Sequence, residues 1–120
     1  MAVEFDVRFY RGASGERPAA DWLAELKVSQ PALERLIVTG LEKLRDSARH
    51  GPPLTTQVDP INGIYELRVG SANIARVFFF FRPGRAIIVT NGYVKKRQRL
   101  DPRELRRAQG YQQEWKGRHP

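Results

Sequence analysis

The chain has 120 residues, no cysteine and two histidines, and its 21 Lys and Arg against 13 Asp and Glu give a net charge of +8. That length builds a single domain over residues 1–120, and the missing thiols exclude disulfides, thiolate nucleophiles and Cys-type zinc sites. Two histidines, His50 and His119, are too few for a histidine metal site, and the longest apolar run, Val77 to Phe81, is flanked by Arg76 and Arg82 and falls far short of the roughly 18 residues of a membrane span.

The N-terminus lacks a basic segment followed by an apolar one, so no secretory signal is read there and the expected location is cytoplasmic. The charge is unevenly placed. Residues 1–60 carry 8 basic and 9 acidic side chains, a net of −1, whereas residues 61–120 carry 13 and 4, a net of +9. A neutral half joined to a strongly basic half is the footprint of a polyanion-binding face.

Val3 to Tyr10 alternates apolar and polar positions and predicts a strand with one buried face. Pro18 to Val28 reads as a helix: Pro18 suits a first turn, and Ala19, Trp22, Leu23 and Leu26 form a stripe. Ser29 is positioned to cap a second helix opening at Pro31, in which Leu33, Leu36, Ile37, Leu41 and Leu44 repeat at helical steps through Arg49. Gly40 interrupts that stripe and permits close contact with a neighbouring element. Gly51-Pro52-Pro53 stops the helix, and residues 54–61 read as an irregular connector. Three strands follow, Ile64 to Val69, Ile74 to Phe81 and Ala86 to Tyr93, the last two joined by the turn Arg82-Pro83-Gly84-Arg85. Asp101 caps a final helix, with Pro102 in its first turn and Glu104 three residues after the cap. Gly117 to Pro120 is expected to fray. The order β-α-α-β-β-β-α predicts a compact α+β domain, with two helices packed on an antiparallel sheet plus a C-terminal helix.

No phosphate loop, metal-ligand spacing or Ser/His/Asp arrangement is present, and the basic half holds only four acids: Glu66, Asp101, Glu104 and Glu114. Chemistry on a phosphodiester would therefore rest on cations and tyrosines. Tyr65, Leu67 and Val69 share the core-facing side of their strand, which leaves Glu66 and Arg68 on the other. Arg76, Phe78 and Phe80 share one face of the next strand, so Arg76 lies near Arg68 if the register pairs them. Adjacent arginines suit a bound phosphate; the plainer alternative is a surface ion pair of Arg68 with Glu66 or with a carboxylate of the N-terminal half. Phe78 and Phe80 are either core or a stacking platform beside the cations. The densest basic run, Tyr93-Val94-Lys95-Lys96-Arg97-Gln98-Arg99, leaves the last strand. Lys95, Lys96, Arg97 and Arg99 are able to grip phosphates there, Arg97 and Arg99 having the alternative of a solvated face, and Tyr93 to stack on a base or offer its hydroxyl. Trp22 and Trp115 read as packing residues, His50 as an aid to the C-terminus of the second helix, and His119 as disordered.

The stretches Gly63-Ile64-Tyr65-Glu66-Leu67-Arg68, Ala75-Arg76-Val77-Phe78-Phe79-Phe80, Ile87-Ile88-Val89 and Asn91-Gly92-Tyr93-Val94-Lys95-Lys96, with the helix through Ala108, resemble the phage-derived HigB-like branch of the RelE/ParE toxin superfamily. The likeness spans residues 54–108 and implies a RelE-like fold and the toxin of a type II toxin–antitoxin pair. It further implies a helix-turn-helix antitoxin as partner, and a metal-independent, cofactor-free endoribonuclease that cleaves mRNA on the ribosome. By position, Arg68 and Arg76 would hold the phosphate, Lys95 and Lys96 would contact the transition state or flanking backbone, and Tyr93 would orient the substrate. This sequence departs from the family's pattern at Asn91, where His is common, at Phe79 and Phe80, where Tyr is common, and in the loop Arg97-Gln98-Arg99-Leu100-Asp101. Two other readings are a gyrase-inhibiting, ParE-like toxin without enzymatic activity and a basic nucleic-acid-binding accessory protein. Removing Arg68 or Arg76 is expected to spare folding, because exposed charges contribute little to stability.

Overall fold

The computed structural model describes residues 3–95 and 99–120. The elements are β1 (Asp6–Phe9), α1 (Pro18–Ser29), α2 (Pro31–Lys43), a 3-10 turn (Ser47–Arg49), β2 (Thr55–Asp59), β3 (Ile64–Val69), β4 (Ile74–Arg82), β5 (Ala86–Lys95) and α3 (Pro102–Arg118). The strands form one sheet in the order β1-β5-β4-β3-β2. β2 to β5 are an antiparallel meander, and β1 adds to β5 in parallel. The α+β class and the order of elements are those read from the sequence, with two additions: the connector at 54–61 contains β2, and the sheet is mixed.

The period-2 pattern explains the layering. Leu67, Ala75, Val77, Phe79, Ile87 and Val89 point to one face, where Ala19, Leu23 and Leu26 of α1 and Leu33, Ile37 and Leu41 of α2 bury them. An added Cβ on Gly40 would stand 3.0 Å from Leu67 and 3.1 Å from Val69, so the missing side chain lets α2 lie close on β3. Gly92 has the same role against α1. Its Cβ would collide with the Trp22 ring, which rests on the backbone of β5.

The opposite face is covered over half its length by α3. Ile64, Phe78 and Ala108 form one buried cluster, and Tyr10, Phe80 and Ile88 another, packed against Tyr111 and Trp115. Phe78 is 0% and Phe80 1% exposed. Of the two readings of Phe78 and Phe80 the structure selects the core, which corrects their candidacy as nucleic-acid contacts: no base can stack on rings sealed under a helix.

Three local expectations change for tertiary reasons. α2 ends at Lys43 instead of running to Arg49, because the N-terminal segment bonds to the chain after it: Phe5 N donates to Arg45 O, and Ser47 N to Val3 O. Asp46 is therefore extended, and its carboxylate caps the 3-10 turn through Ala48 N. Ser29 does not cap α2. It belongs to α1 and donates its hydroxyl back to Glu25 O, and only Gln30 separates the two helices. The C-terminus is docked. His119 stacks on Trp115 at 3.9 Å, and its carbonyl accepts from Arg82. His50 does assist the end of the second helix, its Nε2 donating to Leu44 O at 2.7 Å.

A polar latch fastens the far end of α3. Tyr10 donates its hydroxyl to Glu114 at 2.6 Å, and Arg118 grips the same carboxylate and also donates to Arg11 O. Burial and the Glu114 carboxylate push the Tyr10 hydroxyl up to about 12, while Arg118 and Tyr10 hold Glu114 down at about 2. A carboxyl held below its unfolded value of 4.5 stabilises the fold above that pH and loses the contribution as pH falls toward 2. Thermal melts of the protein should decline across this acid window, and Glu114→Gln should flatten that part of the profile. Gly92→Ala should destabilise by about 1–3 kcal/mol in urea unfolding, since Trp22 or β5 must move to admit the methyl group.

Candidate functional site

The cations gather at the end of the sheet beside the start of α3. Arg68 on β3 and Arg76 on β4 are direct partners across the antiparallel ladder, Arg76 is opposite Tyr93 on β5, and Ile74 is opposite Lys95. Strand alternation therefore puts Arg68, Arg76, Tyr93 and Lys95 on the same face, at the same end of the sheet.

A bulge between Val77 and Phe79 makes this possible. There β5 has one residue more than β4, and Thr90 and Asn91 together face Phe78. Without the extra residue, Tyr93 and Lys95 would fall on the α1/α2 side. Asn91 fills the bulge. It is 1% exposed, and its amide nitrogen donates to the Glu104 backbone carbonyl and carboxylate on α3. Its place in the sequence thus corresponds to a tie between β5 and α3, rather than to a proton carrier.

The arginines differ sharply. Arg68 is exposed, whereas Arg76 is 7% exposed and donates to Glu66, itself 4% exposed, at 2.9 Å. Glu66 lies diagonally across the ladder from Arg76. The carboxylate read as a possible partner of Arg68 thus serves its neighbour. The pair holds the Arg76 guanidinium in place and supplies one negative charge beneath a group of cations.

Tyr93 is half-buried, its ring 6.1 Å from Phe78, and its hydroxyl accepts from the backbone N–H of Asp101 at 3.0 Å. Burial is the main reason its hydroxyl is raised above the ordinary tyrosine value. Asp101 caps α3 as the sequence predicts, its carboxylate accepting from Arg103 N at 2.9 Å. The bond that Glu104 would return in a capping box goes instead to Tyr93, so the site's aromatic residue also fixes where α3 starts. Desolvation first, then repulsion by Arg68 and Arg76, lowers Lys95 from the ordinary lysine value. Between Tyr93 and the start of α3 is a cleft of about 860 Å³ lined by Val94, Arg99, Leu100 and Arg103. Arg99 is exposed at this cleft. Lys96 and Arg97 lie outside the described residues.

Among the described residues, no group of three or more His, Asp or Glu converges where a metal ion could be held, and no helix is long and apolar enough to cross a membrane. Sequence reasoning had placed the cations on this face but missed the Glu66–Arg76 pair and the Tyr93–Asp101 bond. The first was within reach, since Glu66 and Arg76 become diagonal neighbours once the strands are aligned. The second depends on where the start of α3 docks against β5.

A family profile described as "Phage derived protein Gp49-like (DUF891)" matches residues 21–112. The chain belongs to this family. The Gp49-like proteins are a phage-derived, toxin-like family related to RelE and HigB, and this assignment is compatible with a toxin of a toxin–antitoxin pair. The matched span runs from α1 into α3 and includes Arg68, Arg76, Tyr93 and Lys95. A comparison with curated proteins finds no match for the chain.

The buried pair separates the two arginines experimentally. Arg76→Ala leaves the Glu66 carboxylate buried without its cation and should cost about 3–5 kcal/mol of stability. Arg68→Ala, at an exposed position, should stay within about 0.5 kcal/mol of the parent. Urea denaturation checks both; the burial and pairing of Arg76 replace the expectation that either arginine can be removed at no cost to folding.

Proposed function

We propose that this Gp49-like protein is the toxin of a type II toxin–antitoxin pair and acts as a ribosome-dependent endoribonuclease on mRNA. The observation that carries the reading is the convergence of Arg68, Arg76, Tyr93 and Lys95 at one end of one sheet face in a chain of a toxin-like family. The reaction is attack of a ribose 2′-hydroxyl on the adjacent phosphorus, giving a cyclic phosphate and a free 5′-hydroxyl. The transition state adds negative charge on the phosphoryl oxygens, where fixed cations are worth most.

Arg76, oriented by Glu66, and the exposed Arg68 bracket that phosphate. Lys95, with its lowered proton affinity, shuttles a proton or meets the growing charge. Tyr93 stays protonated at neutral pH and presents its ring edge and hydroxyl to the substrate. Lys96, Arg97 and Arg99 extend the contacts to the flanking strand. The partner is an antitoxin, of helix-turn-helix type by the resemblance, and the site of action is the cytoplasm.

Expression without a partner should stop growth and cut translated transcripts. Purified protein with programmed ribosomes should cleave mRNA, and a 2′-deoxy substitution at the scissile nucleotide should abolish the cut. Arg68→Ala should lose cleavage by at least about a hundredfold while folding normally, in keeping with the loss of one preorganised group on a transition-state oxyanion. Growth arrest with intact mRNA would refute the nuclease. Asn91 is buried and Phe79 and Phe80 carry no hydroxyl, so the proton-transfer equipment is sparse. That favours, as a second reading, a non-enzymatic gyrase inhibitor on the same fold, which a supercoiling assay would reveal.

A further inference from the structure

A second cation-lined groove adjoins this face. It has a volume of about 600 Å³ and lies between the end of α2, the 3-10 turn with its following loop, and the end of β3. Its charged walls are Lys43, Arg49 and Arg68, with His50 beside them, and no Asp or Glu is among its lining residues. Lys43, Arg49 and Arg68 are exposed.

Among the described residues, no carboxylate lies within ion-pair distance of Lys43, Arg49 or Arg68; exposed cations elsewhere, such as Lys27 and Arg35, share that state, and what distinguishes these three is that they line one groove. The nearby acids are committed elsewhere: Glu42 to Arg45, and Asp46 to the N–H of Ala48. The end of a helix is ordinarily its negative pole, but here His50 Nε2 donates to the carbonyl of Leu44, covering part of that pole. Three cations from three separate elements therefore line one groove with no acidic side chain among its described lining residues. Arg68 belongs both to this groove and to the ladder position opposite Arg76.

We propose that the groove is a second phosphate subsite, which takes a flanking phosphodiester of the same RNA strand whose reacting phosphate lies at Arg68 and Arg76. The proposal rests on the nuclease reading for the position of the strand, and it adds a direction: the RNA leaves the sheet face over Arg68 and runs along the groove past the ends of α2 and β3. A chain carrying one charge per nucleotide suits two separated cationic stations joined by a shared arginine, and such contacts position the strand without reading its sequence.

The test is the salt dependence of binding to a short fluorescein-labelled single-stranded RNA, 2′-O-methylated so that it cannot be cleaved. Lys43→Ala/Arg49→Ala should bind on the order of tenfold more weakly at about 0.1 M salt, with a log–log salt slope shallower by about 1.4, two phosphates' worth for a single strand. Lys27→Ala/Arg35→Ala, with the same change in net charge on α1 and α2, should keep the parent slope. Equal behaviour of the two double variants, or an unchanged slope in the first, would overturn the groove, as would failure of the parent protein to bind the RNA at all. RNA binding that is unaffected while binding to a polyglutamate peptide is lost would assign the groove to an acidic protein segment, again overturning the proposal. Parent binding with the expected slope change but no mRNA cleavage on ribosomes would leave the subsite standing and remove the nuclease reading alone.

Discussion

Two arginines opposite each other on neighbouring strands repel, and this sheet holds Arg68 and Arg76 in that arrangement because Glu66 lies buried on the diagonal. The ion pair is costly to desolvate and repays the cost through short range and a hydrogen bond. Its consequence is positional. One guanidinium is fixed deep in the face and the other is left at the surface, so a bound anion would meet one rigid and one adaptable cation.

The rest of the molecule can be understood from that end of the sheet. α1 and α2 cover one face, leaving Tyr65, Val69, Phe81 and Val94 partly buried, and α3 covers the part of the other that carries Ile64, Phe78, Phe80 and Ile88. Both ends of α3 are fastened by tyrosines from the sheet side, Tyr93 at Asp101 and Tyr10 at Glu114. The helix thereby stops short of the cations. The bulge at Thr90 and Asn91 does the complementary work on β5, turning Tyr93 and Lys95 to the same side as the arginines.

Much of this was legible in the residues. The alternation in Ile64 to Val69 assigned Leu67 inward and Arg68 outward, the Pro-Gly turn separated β4 from β5, and Asp101-Pro102 announced α3, because each depends on a few neighbouring positions. β2 was missed: Thr-Thr-Gln-Val-Asp has no apolar alternation, and only pairing with β3 makes it a strand. Phe78 and Phe80 were left open between core and binding surface because a period of two gives the face but not what covers it.

The sequence by itself determined the α+β order of elements, the two faces of each strand and the concentration of charge in the second half, since those follow from local periodicity and composition. Only the tertiary structure decided that Glu66 serves Arg76, that β1 lies parallel to β5, and that α3 buries the phenylalanines. It also decided that Lys43 and Arg49 come within one groove of Arg68. These are contacts between residues far apart in the chain, fixed by register, by a one-residue bulge and by the docking of helices, and none leaves a periodic trace in the sequence.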